Sequence, residues 1–139
     1  MLKRFAMPQQ DLVTVYVSYI RPILEYCCVV WHSSLTLSQE SQIEHIQKRA
    51  LRSILGPRYE SYQHALAVCN LISLKDRRGD LCFKFATLLS RDHLDWLPER
   101  QSSHRNLRHS NRFREIKCRT ERYRKSALPF LVRLLNNNS

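Results

Sequence analysis

The side chains of this chain that could do chemistry fall into three groups: a few close carboxylates, five cysteines with histidines nearby, and a dense run of cations. Metal-assisted phosphoryl chemistry needs acidic residues converging on one site. Asp92 and Asp95 are the close aspartate pair outside the helical segments, and they read as solvated charges capping a turn before Trp96. Asp76 and Asp80 lie one helical turn apart beside Arg77 and Arg78, so local ion pairing accounts for them. Cys27, Cys28 and His32 are neighbours in sequence but lack the CxxC knuckle of structural zinc sites. Adjacent residues on a helix point about 100° apart, so these read as core cysteines beside an incidental histidine. His104, His109 and Cys118 show no metal-ligand spacing, and no spacing marks a Cys/His nucleophile pair. The expectation is no catalytic residue, no metal and no cofactor.

The cations are the stronger signal. Of 139 residues, 23 are Lys or Arg against 12 Asp or Glu, a formal charge of +11. Residues 99–125 hold ten of the cations and three glutamates, and so carry +7 of that total. Density of this kind is an electrostatic footprint for polyanions, and guanidinium forks grip phosphate oxygens in pairs. The candidate contacts in this stretch are Arg105, Arg108, Arg112, Arg114, Lys117, Arg119, Arg122, Arg124 and Lys125; Lys48, Arg49 and Arg52 form a second, smaller group. Phe113 and Tyr123 offer rings either for stacking on bases or for anchoring the segment to a core.

The elements that must position these residues are helical. Pro8 suits a first helical position, and Leu12, Val15, Tyr16, Tyr19, Ile23, Tyr26, Cys27 and Val30 follow at 3,4 spacing, the inward face of a first helix. Val13, Val15, Val17 and Tyr19 also alternate like a strand, but the helical spacing persists for longer than a strand usually runs. Pro22 frees the Ser18 carbonyl and predicts a kink or a break. Thr36 and Gln39 have capping-box spacing before a second helix through Ile43, Ile46, Ala50, Leu51, Ile54 and Leu55, ended by Gly56-Pro57. Ser61 opens a third, which Asn70 closes. Ser73 and Asp76 open a fourth through Leu74, Leu81, Phe85, Leu88 and Leu89, with Gly79 inside it.

The fold class expected is mainly α, a small bundle of four to five helices over residues 8–98. A basic arm follows over 99–125, extended or partly ordered with no helix assigned. A short apolar segment, 126–139, then returns to the bundle. Two glycines leave few residues for positive-φ turns, and no GxGxxG, GxxxxGK[ST] or GxSxG occurs, which removes the usual support for nucleotide-loop and nucleophile-elbow enzymes. No uninterrupted apolar run reaches the roughly 18 residues of a membrane span. The first eight residues lack an apolar region of secretory type, and the odd, unpatterned cysteines suit a reducing compartment. Nucleus or cytoplasm, without secretion, is the expectation.

The run Val15-Tyr16-Val17-Ser18-Tyr19-Ile20-Arg21-Pro22-Ile23-Leu24-Glu25-Tyr26, with Val29-Val30-Trp31, resembles a stretch of non-LTR (LINE-type) retrotransposon polyproteins just after the reverse transcriptase domain. Ile43 to Ala50 resembles that family's helix ending Gln-Arg/Lys-Arg-Ala. Ser61-Tyr62 with Leu71 to Arg78 resembles its Ser-Tyr…Leu-x-x-Leu-x-x-Arg-Arg block. Cys118-Arg119-Thr120, Arg122-Tyr123 and Ser126-Ala127-Leu128-Pro129 resemble the closing block, with Asn136 near a terminal Asn, so that the resemblance spans residues 10 to 136.

The resemblance implies a thumb-like, C-terminal helical region that helps hold template and primer. The family's polymerase activity rests on a palm with a Phe/Tyr-x-Asp-Asp box, and this chain has no Asp-Asp dipeptide. The expectation is therefore a non-catalytic fragment, not an enzyme alone, that binds RNA or DNA backbone without sequence preference. Other expected partners are a reverse transcriptase palm or an acidic protein, with no membrane. A helical protein-interaction module and a retroelement remnant without function are the alternatives.

Overall fold

The computed structural model describes residues 7–91, 96–100 and 112–138, and the chain is mainly α. It divides into two compact units, one made of residues 1–26 and 36–77, the other of 27–35 and 78–139. The boundaries at residues 98 and 125 follow composition, whereas these units follow packing. Each unit closes around side chains distant in sequence, and the 112–138 region supplies part of the second unit's own core.

In the first unit, α1 (Gln9–Val15) runs into one π-helical turn, Tyr16–Ile20, and then α2 (Arg21–Glu25). Pro22 lies at the start of α2. A residue that lacks an N–H and crowds the carbonyl four positions back cannot continue a regular helix, and a π turn is one way to absorb it. The regular helix is interrupted before Pro22 in that form.

The π turn also inserts an extra residue into the helical repeat, so the face expected to be buried turns outward. Val13 and Tyr16 are buried, whereas Tyr19, Ile23 and Tyr26 are 71%, 75% and 76% exposed. Beyond Tyr16 the more covered positions are Val17, Arg21, Leu24 and Glu25. There Glu25 accepts from Arg77 Nε at 2.5 Å and faces Arg21 Nε at 3.6 Å.

The helix α4 (Leu37–Leu55) begins at the expected capping box. Thr36 Oγ1 accepts from Gln39 N–H at 3.3 Å, and Gln39 Oε1 accepts from Thr36 N–H at 2.9 Å. It ends at Gly56, whose φ of 57° suits a residue without Cβ. Ser61 caps α5 (Tyr62–Val68) through His64 N–H, and Asn70, at φ 51°, closes it as expected. Val13, Leu51, Leu55, Ala65 and Cys69 form the core of this unit.

The second unit includes α3 (Cys28–Trp31), most of α6 (Leu74–Arg91), α7 (Glu121–Arg124) and α8 (Ala127–Asn137). Cys27, at φ 50°, breaks the chain before α3. The inner stripe of α6 runs through Leu74, Arg78, Cys82, Ala86 and Leu89, all buried, while Phe85 and Leu88 lie outside it at 37% and 53% exposure. Small side chains at Cys82 and Ala86 allow close packing, so bulk was a poor guide to this face. Cys82, Ala86, Leu89 and Phe113 pack with Leu131, Val132 and Leu135. Phe113 also pairs with Arg100 in an isolated antiparallel bridge, and Arg114 N–H donates to Glu99 O at 3.0 Å. Buried Asn136 closes this site: its Oδ1 accepts from Phe113 N–H at 2.9 Å and its Nδ2 donates to Phe113 O at 3.0 Å.

Candidate nucleic-acid interface

The candidate cations fall into both units. On α4, two of the three lie against aromatic faces of their own unit: Lys48 Nζ is 5.1 Å from the centre of the Tyr62 ring and the Arg52 guanidinium 5.0 Å from that of Tyr59. Such contacts hold a cation at the surface while leaving its polar edge for an anion. Arg49, between them, is exposed.

In the second unit Arg112 and Arg114 flank buried Phe113 and are both exposed. Side chains two apart share a side where the backbone is strand-like. Phe113 is thus an anchor and not a stacking platform, with the Arg100 guanidinium 4.8 Å from its ring centre. Lys117, Arg119, Arg122, Arg124 and Lys125 are also exposed.

The stretch expected to lack a helix forms α7 instead. Thr120 accepts from Tyr123 N–H at 3.2 Å, Glu121 sits in the first turn and Arg122 and Arg124 in the last. An N-cap, then an acid, then bases matches both the capping preference and the helix dipole. The Thr120-Glu121 pair was the available signal. Tyr123 is 46% exposed. Arg105 and Arg108, like Asp92, Asp95, His104 and His109, lie outside the described residues.

Not every cation is equally available. Glu121 faces Arg124 Nε at 2.9 Å and Lys125 Nζ at 3.7 Å. Hydrogen bonding from Arg124 holds the Glu121 carboxyl below its ordinary value. No ion pair to Arg112, Lys117, Arg119 or Arg122 occurs among the described residues. Arg77 and Arg78 do not pair with Asp76 or Asp80 as expected: Arg77 takes Glu25, and Asp76 accepts from Ser73 Oγ at 2.6 Å.

Arg78 is wholly buried, its guanidinium 5.8 Å from the Trp31 ring centre and all three nitrogens without a hydrogen-bond partner among the described residues. Cys27 is exposed and Cys28 buried, so the two side chains share no site. Among the described residues no single helix is long and apolar enough to cross a membrane.

A polar network inside the first unit was not foreseen. Gln47 is 1% exposed, at a position of α4 between Ile43 and Leu51 where the stripe is otherwise apolar. Tyr16 O–H donates to Gln47 Oε1 at 2.6 Å. Gln47 Nε2 donates to Ile72 O at 2.9 Å and to Tyr62 Oη at 3.1 Å, and Tyr62 O–H donates in turn to Glu44. Burial pushes the Tyr16 phenol well above its ordinary value, and burial with the Glu44 carboxylate does the same to Tyr62.

No family model matches the chain, and no curated protein and no solved structure matches it.

Proposed function

We propose that this chain is a non-catalytic module that binds the backbone of RNA or DNA, related to the region after the palm of non-LTR retrotransposon reverse transcriptases. The observation that carries the binding role is the surface of residues 112–125, where seven exposed Lys or Arg face two glutamates. One of those glutamates, Glu121, is already shared by two of the cations. The motifs carry the ancestry, and no Asp-Asp box is present to supply the chemistry of a palm.

Fluorescence anisotropy of labelled RNA and DNA with the full chain tests this. Binding is expected at about 50 mM salt and should weaken with a log–log slope near −4.5 on duplex DNA if about five phosphates are met. No measurable affinity at that salt overturns the proposal. An adjoining reverse transcriptase frame upstream of the Met1 codon, intact or broken by stops, is the outcome expected from the ancestry.

A second reading, a protein-interaction module, is favoured by one observation. Tyr19, Ile23 and Tyr26 form an exposed apolar stripe at i, i+4 and i+7. In a parent polymerase a palm would cover such a stripe; in a free-standing module a partner would. Binding of acidic peptides but not of nucleic acid supports this second reading.

A further inference from the structure

A cavity of about 340 Å³ opens in the second unit, walled by the irregular segment before α7 and by α7 and α8. It falls in the size range of small-ligand pockets, roughly 300–1,000 Å³. Its apolar wall is half-buried Ile116, backed by buried Pro129 and Val132. Its rim is cationic: Lys117, Arg124 and Arg133, with Glu115 the acid among its described lining residues.

The three cations differ in what they have left to give. Arg124 is held by Glu121 through Nε and Nη2 at 2.9 and 3.0 Å. Arg133 donates one hydrogen bond from Nη2 to Arg124 O at 2.8 Å, which fixes the guanidinium and leaves most of its five N–H donors over. Lys117 makes no ion pair among the described residues. Cations beside an apolar wall attract an anion more strongly than the same groups in open water.

An anion joined to a flat body with apolar faces fits this division of wall and rim. We infer that the cavity takes one unpaired nucleotide, its phosphate toward Lys117 and Arg133 and its base against Ile116. The inference rests on the nucleic-acid reading above and deepens it. A site for one nucleotide makes the module selective for single strands, because a base in a duplex cannot leave its stack without an energetic cost.

The test uses the full chain, a labelled single strand and its duplex at one low salt concentration, with adenosine monophosphate, adenosine and inorganic phosphate as competitors. The single strand is expected to bind more tightly than the duplex. Adenosine monophosphate should displace it at about tenfold lower concentration than either phosphate or adenosine. Lys117→Ala should weaken that competition severalfold, whereas Lys84→Ala, an equal charge loss at an exposed position of α6, should not. Lys117 is exposed, so an unchanged thermal midpoint separates lost binding from lost folding. Strand binding with adenosine monophosphate no better than phosphate, or with both variants alike, overturns the pocket while leaving backbone binding intact. No strand binding at all overturns the nucleic-acid reading and the pocket with it.

Discussion

Two single residues in the second unit show how far charge and polarity have been carried inside. A guanidinium cannot shed its proton, so Arg78 is a buried charge with the Trp31 ring as its cation–π partner and no hydrogen-bond acceptor among the described residues. Arg78→Met keeps comparable length and removes the desolvated charge. The variant is expected to be more stable by about 1–4 kcal/mol in urea unfolding. A fall in stability would show that the guanidinium is held by more than the ring. Asn136 behaves in the opposite way, since both ends of its amide are used by the backbone of Phe113. Asn136→Leu strands a buried N–H and a buried carbonyl together, and should lower stability by about 2–4 kcal/mol. The resemblance singled out Asn136 among three asparagines in a row, but its contact with Phe113 is set by the packing of α8.

At the scale of elements, the Tyr16, Gln47, Tyr62 and Glu44 network joins the π turn, α4 and α5 within the first unit. Both phenols titrate higher in the folded chain than in the unfolded one. The unfolded state therefore loses its protons first as pH rises, and the stability from keeping these phenols neutral is complete below about pH 10 and lost above it. Urea midpoints are expected to be flat to about pH 9 and then to fall. Tyr16→Phe should flatten that alkaline fall while lowering the midpoint at neutral pH, because Gln47 Oε1 loses its donor. Equal alkaline slopes in the two proteins would remove Tyr16 from the account. The caps of α4 and α5 and the left-handed Asn70 were legible in sequence because each is a local exchange of hydrogen bonds. The inward faces of the first helical segment and of α6 were not. One depends on a π turn, and the other on small residues packing closer than large ones.

Across the whole molecule, a charge of +11 on 139 residues makes the folded state repel itself. Raising salt from about 0.01 to 0.15 M shortens the screening length from about 30 to 8 Å. The thermal midpoint should rise over that range while nucleic-acid affinity falls, and opposite signs in one titration would tie both effects to the same charges. A midpoint indifferent to salt would mean that the cations are already neutralised by local pairs like those of Glu121.

The helical class, the caps, the cationic stretch and the absence of an Asp-Asp box were determined by sequence alone, since each depends on neighbours a few residues apart or on composition. The tertiary structure decided the rest: that Phe113 is an anchor in the core of the second unit, and that Lys117 and Arg133 line one cavity with Ile116. It also decided which stripe of the first helical segment faces water. The physical reason is that burial is a property of pairs of surfaces. Period and composition give a helix its candidate faces, and only the partner that covers one of them makes the choice.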